Sequence, residues 1–109
     1  MKDDRVYLLH IRDSRHRVVE YTANGRDAFP ADTKTQDAVI RNLEIIGEGV
    51  KNISAVHKDL HPDVPWKRIA GMRDLLIHRY FGVKLELVWA VVEDELPDFR
   101  TAIVGMLDG

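Results

Sequence analysis

Apolar residues recur at intervals of three and four along most of this 109-residue chain. This spacing gathers apolar side chains on one face of an α-helix, whereas a half-buried strand needs them at every second position. The clearest run is Val39, Leu43, Ile46 and Val50, and no alternating stretch competes with it. The pattern therefore predicts an all-α fold, an up-and-down bundle of four to five main helices.

Turn-forming and capping residues divide this pattern into segments. Asn24-Gly25 offers the first helix a left-handed end, and Pro62 cannot continue the helix before it. The first predicted helix covers residues 3–23, the second is capped by Asp32 or Thr33, and a short third runs from Asn52 to Leu60. The fourth runs from about Pro65 to Tyr80 and ends at a break at Phe81-Gly82. A fifth helix follows through Leu85, Val88, Trp89 and Val92, and Pro97 opens the last one.

Two glycines and one aromatic residue bear on how these helices pack. Gly47 and Gly49 lie inside the second helix, where each costs about 1 kcal/mol relative to Ala. Close approach of another helix is the favoured explanation, and a loose phosphate cradle stays open as a second one. Phe29 is expected to fill the core from the loop before this helix. The apolar face predicted for the first helix consists of Val6, Leu9, Val18 and Val19, with Tyr7 and Ile11 between them.

Length and composition exclude several classes of protein. The length suits one domain, predicted over residues 1–109. The absence of Cys excludes a disulfide scaffold and a thiolate metal site. No apolar run approaches the roughly 20 residues of a membrane span, and the start of the chain lacks the apolar region of a signal peptide. The expectation is a cytoplasmic protein with no membrane partner.

Charge is unevenly distributed over the chain. The net charge of −2 by itself predicts no nucleic-acid partner. Residues 67–84, however, carry five basic side chains against one acidic side chain, and residues 85–109 carry one against six. The basic block predicts either an anion site or ordinary solvated helix faces.

His57 and His61 are spaced four apart, so a helix would place both imidazoles on one face, as metal ligands require. No third ligand accompanies them at a recognisable spacing, and Pro62 disturbs the turn that holds His61. Solvent-exposed residues or a helix end are therefore favoured over a metal site. No metal or other cofactor is expected.

The segment from Gly71 to Gly82 combines groups that suit cleavage of a phosphodiester without a metal. His78 can exchange protons near neutral pH, and Arg73 can hold charge on phosphoryl oxygens. On one straight helix these two side chains point some 140° apart. Two copies of the helix about a two-fold axis would bring both pairs together, which predicts a homodimer with an active site at its interface. The alternative is that Arg73 pairs with Asp74 or a nearby Glu and that His78 caps the helix end.

The same segment resembles the R-x-x-x-x-H-x-Y signature of HepT-type toxins, which belong to the HEPN superfamily. Arg73, His78 and Tyr80 occupy its three fixed positions. The similarity extends to the flanks, in order, which makes it specific. The flanking stretches are Asp37 to Glu48, Pro65 to Arg73, and Val88-Trp89 through Leu96-Pro97.

The resemblance implies a helical, dimeric, metal-independent endoribonuclease, the toxin of a type II- or type VII-like toxin–antitoxin module. Its substrate would be transfer or messenger RNA, and its antitoxin partner a minimal nucleotidyltransferase. It implies that Arg73 and His78 are catalytic and that the antitoxin can attach AMP to Tyr80, although Tyr80 could also stack on a base or belong to the core. Asp74 stands where the family has a polar residue, often Asn; it could orient His78 or repel a phosphate. The supporting or RNA-binding residues predicted beside it are Lys67, Arg68, Arg79 and Lys84.

Two other functions stay open at this point. The helix could bind a nucleotide or the nucleotidyltransferase without cutting RNA, which the modest overall charge and Asp74 favour. The chain could also be a helical dimer without a ligand.

Overall fold

The computed structural model describes residues 4–78 and 85–108, without the side chains of residues 75–78, 95 and 98. All regular elements in these two ranges are helical, which confirms the all-α prediction. None of the helices described has the length and apolar composition needed to cross a membrane. The helices are α1 (Asp4–Tyr21), α2 (Thr33–Asn52), α3 (Ala55–Leu60), α4 (Trp66–His78), α5 (Leu85–Ala90) and α6 (Leu96–Asp108).

Local signals fix the start of α2 and the chain path before it. Gly25 has a φ of 88°, the left-handed conformation that favours glycine. Asp32 is the N-cap of α2, and its carboxylate accepts a hydrogen bond from Thr35 N at 3.1 Å. Phe29 is buried, as predicted, and its ring lies 5.3 Å from that of Trp89. This loop is therefore anchored to the core and also provides the cap of the central helix.

One predicted boundary was wrong. Asn52 ends α2 instead of starting α3, because Ile53 and Ser54 are extended and the Ser54 side chain caps α3 by accepting from His57 N. The last helix, which Pro97 was predicted to open, begins one residue earlier, at Leu96. A π-helical turn (Val91–Glu95) joins α5 to α6, and the Leu96 N–H donates to the Val91 carbonyl. Pro97 follows this turn as the second residue of α6 and has no backbone N–H to donate.

Helix α2 forms the centre of the bundle, with α1 and α4 packed against it and α6 against α1. Its four predicted core residues, Val39, Leu43, Ile46 and Val50, are fully buried. Replacing one of them by Ala would cost about 2–5 kcal/mol by the usual large-to-small penalty. The core is therefore built around the segment with the clearest helical periodicity.

The buried face of α1 differs from the prediction. Val6 and Val19 are each 47% exposed, whereas Leu8 is 2% exposed. Ser14 is also buried, at 1% exposure, on the stripe that Leu8, Ile11 and Val18 form. A small polar residue in the middle of the stripe breaks the apolar pattern, so Val6 and Val19 were predicted wrongly, whereas Val18 is buried as predicted.

Both glycines of α2 allow close helix packing, as predicted. A Cβ at Gly49 would lie 2.8 Å from Cγ1 of Ile11 on α1. A Cβ at Gly47 would overlap Cβ of Arg73 on α4 and lie 3.0 Å from its Cγ. The two glycines thus set the approach of α1 on one side of α2 and of α4 on the other.

Asp4 ties the start of α1 to the junction between α2 and α3. Its carboxylate accepts hydrogen bonds from Ser54 N at 2.9 Å and Ser54 Oγ at 2.6 Å, and lies 3.2 Å from His57 Nδ1. The hydrogen bond from the Ser54 hydroxyl is the main cause that lowers the pKa of Asp4 below its ordinary value of 3.8. Ionised Asp4 therefore stabilises the fold above that pH, and the stabilisation is lost as the pH falls through the folded-state pKa.

We expect Asp4→Asn to lower the free energy of unfolding by about 1 kcal/mol at pH 7. Urea melts over a pH series should show this difference shrinking as the pH falls below 4, because wild-type Asp4 then becomes neutral too. Asp13→Asn is the matched control, since Asp13 is half-exposed on the same helix and pairs with its neighbour Arg12. A difference that stays constant down to pH 2 would contradict the prediction.

Candidate functional site

Arg73 is fixed where α4 crosses α2. Its Cβ and Cγ lie over Gly47, and its Nε lies 2.9 Å from Glu48 Oε2. Its Nη1 donates to Asp74 Oδ1 at 3.3 Å. The side chain is 26% exposed, so the guanidinium is held by two carboxylates and still reaches solvent. Guanidinium has five N–H donors, and these two contacts leave others for an incoming anion.

Asp74 is shared between two cations. Lys51 on α2 donates to Asp74 Oδ1 at 2.5 Å, and Arg73 donates to the same oxygen. The hydrogen bond from Lys51 is the main cause that holds the pKa of Asp74 below its ordinary value. Asp74 is therefore ionised at neutral pH. Lys51 and Arg73 offset its negative charge, which reduces the repulsion of a phosphate that the sequence suggested.

These four side chains, Glu48, Lys51, Arg73 and Asp74, form an alternating chain of charges across α2 and α4, which we call the Arg73 network. Arg73 lies between Glu48 and Asp74, and Lys51 binds Asp74 at the end of the chain. Two cations and two carboxylates leave the network with no net formal charge. Its chemical capacity lies in positioning: the bonds to Glu48 and Asp74 restrict the guanidinium to one orientation. A fixed, planar pair of donors is what recognition of a phosphoryl oxygen requires.

Some of the other predicted site residues lie in the described part of the structure, and others lie outside it. His78 is the last residue of α4, five residues beyond Arg73, and its side chain lies outside the described residues. Arg79, Tyr80 and Lys84 also lie outside them. Lys67 and Arg68 are exposed on the first turn of α4, and both line a groove beside the Arg73 network. The pairing of Arg73 with Asp74 and a nearby Glu, the alternative that the sequence offered, is present.

Sequence reasoning missed Glu48 and Lys51. Both lie on α2, and Lys51 precedes its partner Asp74 by 23 residues. The signal that could have found them is Gly47, because a glycine inside a strong helix marks the point where another helix approaches. The charged residues directly after that point are then the natural partners of the approaching helix.

His57 and His61 form a separate cluster at α3. Their rings stack with centroids 5.4 Å apart, and His57 contacts Asp4. His61 follows the last residue of α3 and is its C-cap. Among the residues that the structure describes, no three His, Asp or Glu side chains are grouped so that they could hold a metal ion.

Comparison of the sequence with known proteins shows which family the chain belongs to. The chain is 42% identical, over 98% of its length, to a Methanocaldococcus jannaschii protein named "Gamma-glutamylcyclotransferase and putative RNase", but it spans only 49% of that protein's length. It is 45% identical to a "Probable ribonuclease HepT" of Thermococcus cleftensis over 86% of both chains. It is 40% identical to a "Putative RNase" of Caldanaerobacter subterraneus over 98% of this chain and 96% of that one.

No solved structure gives a significant match. The sequence model of the family described as "Ribonuclease HepT-like" matches residues 11–105, which contain the Arg73 network and the whole of α4. With this match and relatives of similar length at 40% identity or more, the chain belongs to the ribonuclease HepT-like family.

Proposed function

We propose that this protein is a metal-independent endoribonuclease, the toxin of a toxin–antitoxin module. The observation that carries the proposal is the placement of Arg73 within the family's R-x-x-x-x-H-x-Y spacing. Its guanidinium is oriented by Glu48 and Asp74 and still reaches solvent. The relatives named as ribonucleases support the same activity.

In the proposed reaction a ribose 2′-hydroxyl attacks its own phosphate. The bond from the 2′ oxygen to phosphorus forms, the bond from phosphorus to the 5′ oxygen breaks, and a cyclic phosphate and a free 5′-hydroxyl result. One His78 takes the proton of the 2′-hydroxyl, and a second gives a proton to the leaving oxygen. Arg73 stabilises the charge that develops on the phosphoryl oxygens.

The composite site requires two copies of the chain. Arg73 and His78 are five residues apart on α4, so their directions differ by about 140° on a regular helix. A two-fold axis beside α4 would bring both copies of Arg73 and His78 into one cleft around a single phosphate. Homodimerisation is therefore part of the proposal.

The proposal extends to control by a minimal nucleotidyltransferase antitoxin. Attachment of AMP to Tyr80 would add negative charge and bulk two residues from His78. RNA carries the same charge and would be repelled and sterically excluded. Modification at this position would thus silence the toxin without altering its fold.

Cleavage in the presence of EDTA tests the activity. Purified protein should cut single-stranded RNA under these conditions, and His78→Ala should lower the rate about a hundredfold or more, because proton transfer is lost. His16→Ala, an exposed His on α1, is the matched control and should cleave normally. Equal cleavage by His78→Ala and wild type would overturn the assignment.

One observation favours a second function. Asp74 and Glu48 offset the charges of Arg73 and Lys51, which suits a helix that binds a nucleotide or the nucleotidyltransferase and does not cut RNA. Expression without the antitoxin separates the two functions: a ribonuclease toxin should arrest growth, whereas a binding module should leave the cells healthy.

A further inference from the structure

A groove of about 880 Å³ lies beside the Arg73 network. It is bounded by the end of α2, by α3, by the proline-containing elbow before α4, and by the first two turns of α4. Pro62 and Pro65 stiffen the elbow, since each fixes its own backbone φ. The groove is therefore formed by three helices and a rigid connection.

The groove is strongly basic for a chain with a net charge of −2. Its lining contains Lys51, Lys58, Lys67 and Arg68, and Asp59 is the one acidic residue among the lining residues that the structure describes. These cations come from α2, α3 and α4, so no single helical repeat places them together. Their convergence creates a positive potential that the average composition does not reveal.

The groove leads to the proposed cleavage site along one face of α4. Lys67, Ala70 and Asp74 follow each other at spacings of three and four, so they share that face. Lys67 and Ala70 line the groove, and Asp74 binds Lys51 at its end. Lys51 thus belongs to both the groove and the Arg73 network, and a chain lying in the groove would reach Arg73 within one further turn of helix.

We propose that this groove binds the phosphate backbone of single-stranded RNA next to the scissile linkage. This inference rests on the proposed ribonuclease function and adds a strand-binding site to it. Lys58 on α3 and Lys67 on α4 can neutralise successive phosphates, which is how single strands are held without regard to sequence. The apolar lining residues, among them Val64 and Trp66, provide surface for sugars and bases.

RNA suits the groove better than an acidic protein surface does. The basic side chains line a concave channel that ends at Lys51, and Lys51 shares Asp74 with Arg73. A flexible polyanion can follow such a channel. The continuity through Lys51 links occupation of the groove to the position of the scissile phosphate. An acidic protein would gain nothing from that continuity.

Salt-dependent binding tests the groove directly. The probe is a single-stranded oligoribonucleotide with 2′-O-methyl riboses, which resists cleavage through the 2′-hydroxyl, and fluorescence anisotropy follows its binding to the full-length protein. Each of Lys58→Gln and Lys67→Gln should lower the slope of log affinity against log salt by about 0.7. Each should weaken binding about fivefold at 0.1 M salt by the same relation. Lys34→Gln, an exposed lysine at the opposite end of α2, should change neither quantity.

The outcomes distinguish this inference from the proposed function. A dinucleotide is too short to occupy the groove, so wild type and Lys58→Gln should cleave it at equal rates, while KM for a long RNA rises only in Lys58→Gln. Unchanged salt slopes in the folded variants would overturn the groove proposal even if wild type cleaves RNA. The groove proposal would also be overturned if Lys58→Gln and Lys67→Gln lost binding to an acidic protein while their binding to RNA stayed unchanged. Failure of wild type to cleave any RNA would instead refute the proposed function. The anisotropy measurement would still test whether the groove binds single-stranded RNA.

Discussion

Arg73→Ala should lower the rate of RNA cleavage about a thousandfold, which is the upper range for removing one fixed donor from a developing oxyanion. Arg73 is oriented by Glu48 and Asp74, so its donors are in position before the charge develops. The loss should appear in kcat, because the interaction strengthens in the transition state. Arg73→Lys should recover only part of the rate, since it keeps the charge but loses the planar pair of donors.

Arg41→Ala is the matched control for this prediction. Arg41 is a 72% exposed arginine on α2 whose partner is Glu44, so its removal should leave cleavage unchanged. Thermal melts should show that Arg73→Ala remains folded, because partly exposed ion pairs contribute little to stability. Full cleavage by folded Arg73→Ala would show that the Arg73 network is only structural.

Gly47→Ala should both destabilise the protein and impair cleavage. The added Cβ would overlap Cβ of Arg73, so α4 must move away from α2. Overpacking of this kind costs about 1–3 kcal/mol, and each kcal/mol should lower the melting temperature by roughly 4–8 °C in a domain of this size. The movement also displaces Arg73 from Glu48, and small misplacements of a catalytic group cost about a hundredfold in rate.

Two other glycines separate these effects. Gly49→Ala would place its Cβ against Ile11 on α1, so it should lower stability while the folded fraction cleaves normally. Gly105→Ala on α6 meets nothing within 4 Å and should raise stability by about 0.5–1 kcal/mol, as helical Gly-to-Ala changes do. Normal stability and cleavage in Gly47→Ala would contradict the close packing of α2 and α4.

The sequence was most informative where structure depends on near neighbours. The cap at Asp32, the turn at Gly25 and the core stripe of α2 each follow from residues within one or two turns of one another. It was less informative for α1, where burial of Ser14 depends on what packs against the helix. It also missed the π-helical turn that joins α5 to α6.

The sequence by itself determined that this chain is helical and that Arg73 stands in the family's signature, because both are patterns among residues that are close together in the sequence. Only the tertiary structure decided which groups hold Arg73 and which cations share a groove. Lys51 and Asp74 are separated by 23 residues, and Lys58 and Lys67 lie on different helices. Contacts between residues on different helices depend on the distance and angle at which the helices pack. Gly47 sets that distance for α2 and α4, because its missing side chain leaves room for Arg73.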